Sequence, residues 1–530
     1  MNKIINIIVV SFLFSGLLND FRLSSNRSNA NNDSEANFPQ SNGFIDIESN
    51  AYEHIWVTTG DGLGKINYSM GYYDPETIIF SGVNSPNIPN GGNPALFIKD
   101  TIIIVSGVEQ EYINGAYEPK GTGIGYSIDS GESWEYMPQP ICEECSGYYD
   151  FVWGEQEITS LAVTTDINNV SYDVGLQGEY IYAASWAGGL RRFRYNDINP
   201  IWEVVPLPMD SQDSLICNSI DVESYLLNPR DPDDGGSHNH KGFSVFNSAE
   251  YLWVGTAEGI NRGTINGGCI DWYHQTTQNG LSGNWVVGIE NQITDDINRI
   301  WAITWGTEAG EYNSISYTED HGVTWNDIEY FSSQNIKIFK LDFNGDHIYA
   351  ASEGGLFYSE DLVHWEKVDR LWQDSSSGEY ISSKTVYSVL FNSSSIFSDN
   401  EHILVGTGDG LVVRLNDENN VFRFFNSPTS ASDNLGFSVY PNPYYVGQGG
   451  LVRFVYYDDN ISSSNTGKID IYDFTMNHVI SLTSNINSNN ADVIIWDGKN
   501  SNGQRVVNGT YFCKLSNKGN IYWTKLIVIN

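Results

Sequence analysis

Leu252-Trp-Val-Gly-Thr-Ala-Glu-Gly-Ile260 decides the fold. An aliphatic residue opens a short β-prone run, a hydroxyl residue closes it, and a Gly-containing turn leads back into apolar sequence. The same order recurs in Ile55-Trp-Val-Thr-Thr-Gly-Asp-Gly-Leu63, Ile181-Tyr-Ala-Ala-Ser-Trp-Ala-Gly-Gly-Leu190, Ile348-Tyr-Ala-Ala-Ser-Glu-Gly-Gly-Leu356 and Ile403-Leu-Val-Gly-Thr-Gly-Asp-Gly-Leu411, with weaker copies from Thr101 and Ile300. The seven starts lie 46, 80, 71, 48, 48 and 55 residues apart. Each is preceded by a second β-prone run: Phe44–Glu48, Ala95–Lys99, Ile158–Thr164, Phe243–Phe246, Trp285–Glu290, Ile338–Phe343 and Val386–Phe391. A lone hairpin cannot bury both its faces, whereas sheets stacked radially cover one another. A period near 48 also leaves room for two more strands, such as Gly189–Arg194 and Trp202–Pro206 in the third copy. The expectation is an all-β chain with a seven-bladed β-propeller over residues 43–426.

Outward from the repeats, Ile4 to Leu18 is an apolar run after Lys3 with the length of a signal-peptide core, which predicts a signal peptide over 1–18. Residues 19–42, rich in Asn and Ser, read as a disordered leader. A polar linker over 427–436 separates the repeats from a domain over 437–530. Its strand-like segments are Val452–Tyr456, Lys468–Tyr472, Val493–Trp496, Gly509–Leu515 and Ile521–Ile529, with polar turns at Asp458–Gly467 and Ser484–Asn490. That spacing predicts a small antiparallel sandwich.

The 530 residues carry 27 Lys and Arg against 66 Asp and Glu, a net charge of −39, which argues against nucleic acid as a partner. The basic cluster Arg191, Arg192 and Arg194 alternates with Leu190 and Phe193 as an exposed strand face would. Five cysteines form neither a disulfide framework nor a zinc set; Cys142-Glu-Glu-Cys145 reads as a small loop disulfide or two free thiols. His238-Asn-His240 follows Asp231-Pro-Asp-Asp-Gly-Gly236 in a long insertion read as a solvated loop, without metal-ligand spacing. No nucleophile elbow, zinc-hydrolase helix or phosphate loop occurs, so no metal, cofactor or catalytic residue is assigned.

Two segments carry a sharper signature, Ser127-Ile-Asp129-Ser-Gly131-Glu-Ser-Trp134 and Thr318-Glu-Asp320-His-Gly322-Val-Thr-Trp325, with a degenerate third, Ser359-Glu-Asp361-Leu-Val-His-Trp365. They resemble Asp-box (BNR-like) propeller repeats, which implies a structural role for Ser127, Asp129, Gly131, Trp134, Thr318, Asp320, Gly322 and Trp325. Asn279-Gly-Leu-Ser-Gly-Asn-Trp-Val-Val-Gly-Ile289, leading to Ile300-Trp-Ala-Ile-Thr304, is similar to the two-component-regulator type of propeller repeat, which implies a sensory or binding propeller. At the C-terminal end, Pro441, Asn442 and Pro443, Trp496-Asp497-Gly498, Gly503, Gly509 and Tyr511 resemble two related families. These are the Ig-like domain of flagellar hook-capping proteins and the C-terminal sorting domain of type IX secretion cargo. The sorting resemblance implies recognition by the secretion translocon and a sortase, and a secreted or outer-surface location without an integral membrane segment once the signal is cleaved.

Asp boxes also raise the sialidases, but those need three arginines around a substrate carboxylate. The nine propeller arginines, at 191, 192, 194, 230, 262, 299, 370, 414 and 423, include none in an Arg-Ile-Pro motif near the first blade. A binding face is expected instead where the second strand of each blade turns into the third, at Asp61, Trp186, Glu258, Trp305, Glu353 and Asp409. Aromatic rings among carboxylates suit sugar stacking or capture of a cationic group. The sequence thus predicts an exported, non-enzymatic binding protein for a glycan or a surface protein, the alternative being a glycan-active hydrolase or lyase using the same carboxylates.

Overall fold

The computed structural model describes residues 41, 43–49, 54–67, 79–113, 115–142, 145–368, 381, 383, 385–392, 402–414, 422–425, 437–440, 444–445, 452–456, 465–486, 492–517 and 520–529. The segment 1–18, the linker 427–436 and Pro441, Asn442 and Pro443 lie outside the described residues, as does most of 19–42.

Seven sheets follow one another along the chain, each starting with an antiparallel meander of four strands. Their first strands are Phe44–Ser49, Leu96–Lys99, Ser171–Gln177, Gly242–Asn247, Trp285–Ile293, Ile338–Asn344 and Val386–Asn392. These first strands touch their neighbours in order, and the seventh touches the first, so the sheets are the blades of a closed seven-bladed propeller. Among the described residues no strand is exchanged at closure: Leu390, Leu404, Leu411 and Val413 of the last blade pack face to face on Phe44, Ile47, Ile55 and Val57 of the first. This is the face-to-face burial that a single repeat could not supply.

Six of the seven inner strands carry an extra residue at one equivalent point, at Ile45, Tyr172, Phe243, Val287, Phe339 and Tyr387. The bulge turns these side chains toward adjacent blades. There Phe243 meets Trp285 at 5.1 Å between ring centroids and Phe339 meets Tyr387 at 5.2 Å. Further along the inner strands the channel is lined by charge. Lys340 of blade six reaches Asp46 and Glu48 of blade one, both at 2.5 Å, and also holds the Ile47 carbonyl. Burial pushes the carboxyls of Glu290 and Asp342 up, Asp342 to about 7.

The first strand of blade three corrects the sequence reading. Ile158–Thr164 does not begin that blade; Gln156–Leu161 pairs with Tyr148–Trp153 as an inserted hairpin, joined in parallel by Leu226–Leu227. The blade uses Ser171–Gln177, which pairs with Tyr180–Ser185. The cysteines bring a second correction at Cys217 and Cys269, whereas the bond at Cys142 is one of the two states expected there. Cys142 bonds Cys145, and Cys217 bonds Cys269 across 52 residues, leaving Cys513 buried and free. A third concerns the arginines: Arg191 and Arg192 are buried, and only Arg194 is exposed.

The C-terminal residues form a sandwich of a three-stranded sheet (Phe437–Tyr440, Val452–Tyr456, Asp492–Trp496) and a five-stranded one (Tyr444–Tyr445, Asn520–Ile529, Gly509–Asn517, Asn465–Tyr472, His478–Ile486). His478–Ile486 runs through part of a segment expected to be a turn, and Asn465–Gly467 likewise belongs to a strand. Trp496 is buried in this core and donates its indole N–H to the Lys499 carbonyl, closing the turn through Asp497 and Gly498. Asn500 takes the N–H groups of Asn502 and Gln504 around Gly503, and the Tyr511 hydroxyl holds the Val507 carbonyl across Gly509. No helix among the described residues is long and apolar enough to cross a membrane.

Candidate functional site

The hydroxyl that ends each second strand has a local task. Thr59, Thr256, Ser352 and Thr407 each accept the backbone N–H two residues on, at 3.1, 3.2, 3.0 and 3.0 Å. Each also lies 2.7–3.0 Å from the carbonyl of the glycine three residues on. That closes a two-residue turn with a side-chain bond, so the sequence repeat is turn chemistry first. Gly259, in the left-handed region at φ 106°, shows why the last position is glycine: a Cβ there would stand 2.1 Å from the Gln275 carbonyl oxygen.

These turns place the six expected binding residues unequally. Asp61, Glu258 and Asp409 occupy the second turn position, whereas Glu353 occupies the first and accepts the Lys337 N–H at 3.0 Å. Asp409 is buried. Trp305 is 1% exposed, donates to the Ile338 carbonyl and packs on Phe339, with Lys337 Nζ 4.7 Å from its ring centroid. Trp186 is half-buried against Phe243 and Trp285, and Lys241 Nζ lies 4.8 Å from its centroid. Two pairs of the six come to a common lysine: Trp305 and Glu353 both meet Lys337, and Trp186 meets Lys241 beside Glu258, where the insertion 206–241 leads into blade four.

Asp210 anchors that insertion. Its carboxylate accepts Ser237 Oγ–H at 2.6 Å, Asn239 N–H at 2.7 Å and His238 N–H at 2.9 Å. Asn239 in turn bridges Thr256 and Asn261 of blade four at 2.7 Å each. His240 is enclosed: its Nδ1 accepts the Asn228 N–H, so Nε2 carries the proton and donates to the Leu207 carbonyl, and burial lowers its pKa to about 4. The His238-Asn-His240 segment is therefore a joint in which Asn239 and His240 are buried and His238 half-buried, not a solvated loop. Among the described residues no His, Cys, Asp and Glu cluster has the arrangement to hold a metal ion.

The joint delivers Lys241 to the start of blade four, where its carbonyl accepts the Ala257 N–H at 3.1 Å, one residue before Glu258. Glu258 accepts Asn284 Nδ2–H at 3.1 Å. Burial first, then the charges of Asp210, Glu311 and Glu308, raise its carboxyl pKa to about 7. Burial lowers the pKa of Lys241, opposed by Asp231 and Asp210, and lowers that of His238, which Lys241 also disfavours. No ion pair joins Lys241 to Glu258. The site thus combines an aromatic face, a dehydrated ammonium and a carboxyl close to its titration point near neutrality, which fits recognition of a polar ligand bearing a flat apolar face. Sequence reading missed Lys241, although a signal was there: Lys337 precedes the inner strand of blade six as Lys241 precedes that of blade four, and each stacks on a tryptophan of the preceding blade.

The two Ser/Thr-x-Asp-x-Gly-x-x-Trp segments lie between third and fourth strands. Asp129 accepts Ser127 Oγ–H, Ser133 N–H and Ser133 Oγ–H, which bring its pKa to about 2; Asp320 accepts the matching groups of Thr318 and Thr324. Trp134 meets Trp56 of the preceding blade edge to face at 6.0 Å, and Trp325 meets Trp253 at 6.2 Å. At Gly131, φ 85°, a Cβ would stand 2.4 Å from the Trp56 ring. The shorter third segment has one left-handed residue, Leu362, where the others have two, yet Trp365 still packs on Phe331 at 4.6 Å.

No family model matches the chain, and no curated protein matches it in sequence. Solved structures resemble it in fold. PorZ of Porphyromonas gingivalis, an essential bacterial surface component of the type-IX secretion system, is 13% identical, with 92% of this chain and 66% of PorZ covered and a TM-score of 0.38. YCF48 from Cyanidioschyzon merolae is 12% identical, with 73% of this chain and 98% of YCF48 covered and a TM-score of 0.40. This chain spans just under two thirds of the length of PorZ.

Proposed function

We propose that the chain is an exported, non-enzymatic binding propeller, secreted or held at the outer cell surface, whose ligand is a glycan or a protein surface. The observation that carries this reading is Lys241, whose Nζ lies on the Trp186 ring and whose carbonyl accepts the N–H of Ala257 next to Glu258, with Asp210 holding the insertion that leads into it. Asp61, Glu353 and Asp409 serve their turns and Trp305 serves the core. The segments around Asp129 and Asp320 act as staples between blades, in keeping with their resemblance to Asp boxes. Domain limits of 1–18 for a signal peptide, 19–42 for a leader, 43–426 for the propeller, 427–436 for a linker and 437–530 for a type IX sorting domain complete the proposal. The translocon and sortase are then partners of the last domain.

Hydrolysis is the second reading, and Glu258 is the observation in its favour, because a carboxyl with a pKa near 7 suits a general acid. One experiment separates the two. The full chain is incubated with a panel of polysaccharides and glycoproteins and scored for retention and for release of reducing ends. Retention without release is expected; release that vanishes in Glu258→Gln establishes the hydrolase. Deleting 437–530 should strand the protein in the periplasm, and normal secretion of the shortened chain would refute the sorting assignment.

A further inference from the structure

A cleft of about 950 Å³ lies between the second and third blades and the inserted hairpin, and it shares no residue with the Trp186, Lys241 and Glu258 site. Three free strand edges contribute to its lining. Glu135–Met137 is the outer strand of blade two, Glu203–Val205 the outer strand of blade three, and Tyr148–Trp153 the edge of the inserted sheet. In that last strand the turn Gly154-Glu155 makes Trp153 and Gln156 the closing hydrogen-bonded pair, so the N–H and C=O of Val152 and Asp150 face the free edge. Aromatic residues of two of these strands, among them Tyr136 and Phe151, and Trp202 just before the third, line the same space.

Arg191 also lines it. Its residue is 7% exposed, its Nε donates to the Gly188 carbonyl at 2.9 Å, and among the described residues no carboxylate pairs with it. Its neighbours are matched: Arg192 meets Glu203 at 2.7 Å and Lys120 meets Glu111 at 3.1 Å. A buried guanidinium without an anion is costly, and in a chain of net charge −39 acids to pair with it were plentiful. Its planar fork suits a carboxylate from outside the chain.

We infer that this cleft binds an extended peptide that adds as a strand to the Tyr148–Trp153 edge and sets one of its carboxylates on Arg191. The row of unpaired backbone groups favours a peptide over a sugar, since strand addition supplies affinity through the main chain and the aromatic walls read alternate side chains.

The test uses the full chain and an array of ten-residue peptides, each synthesised with Glu and with Gln at one position. Bound peptides should prefer Glu by about tenfold or more, and Arg191→Gln should reduce that preference to below about twofold. Val152→Pro removes an edge N–H at an exposed residue and should weaken both members of each pair while leaving the thermal transition in place. Should Arg191→Gln fail to fold, the Glu against Gln comparison on the unaltered chain together with Val152→Pro decides the matter. Absence of any bound peptide, or a Glu preference that survives Arg191→Gln, overturns the inference. So does binding of a uronic-acid oligosaccharide, in place of any peptide, that Arg191→Gln abolishes.

Discussion

Ala257-Glu258 and Gly408-Asp409 are one turn in two settings. Thr256 and Thr407 hold the N–H of Glu258 and Asp409 at 3.2 and 3.0 Å, and face the carbonyls of Gly259 and Gly410 at 3.0 and 2.8 Å. Asp409 is buried. Beside Glu258 the insertion 206–241 adds Asp210, Asn239 and Lys241, and the carboxyl is driven to about 7. The repeat therefore builds the turn, and the insertion turns one copy of it into a site.

The contrast can be broken from both sides. The largest effect belongs to a position remote from the site: Trp325→Ala should cost about 3–5 kcal/mol in denaturant unfolding while ligand retention stays unchanged. Loss of retention at full stability would make that segment a binding element. Asp210→Ala strips three donors of their acceptor and should cost about 2–4 kcal/mol and abolish retention; a stable variant that still binds would separate the insertion from the site. Thr256→Val and Thr407→Val should each cost about 1–2 kcal/mol, but only the former should weaken binding, because only Thr256 also touches Asn239. The smallest effect is electrostatic. With its folded pKa raised, Glu258 contributes stability below about pH 4.5 that is lost as pH rises through about 7. Glu258→Gln should accordingly raise Tm by roughly 1–3 °C at pH 8 and leave it unchanged at pH 4, measured by calorimetry. An equal shift at both pH values would mean that the carboxyl is not desolvated.

The blades were legible because their signal is local: at Thr59, Thr256, Ser352 and Thr407 a hydroxyl and a glycine three residues apart close the same turn. Blade three shows where this stops. Ile158-Thr-Ser-Leu161 is as β-prone as Ser171–Gln177, and only packing on the ring selects the second as the inner strand. Cys217 and Cys269 carry no spacing signal across 52 residues, and His240 resembles a loop histidine until Asn228 and Leu207 enclose it. Of the site, Trp186 and Glu258 followed from the repeat, whereas Asp210 depended on how an insertion folds back, which turn chemistry does not encode. Arg191 misled for the same reason, since alternation with Leu190 and Phe193 does not distinguish an exposed strand face from one that a neighbouring insert covers.

The most direct measurement compares Glu258→Gln with Glu353→Gln for affinity toward a ligand retained by the full chain. A loss of about tenfold or more at Glu258, with less than about twofold at Glu353, is the expected result. Equal losses, or no loss at either position, would contradict the placement of the site between Trp186, Lys241 and Glu258.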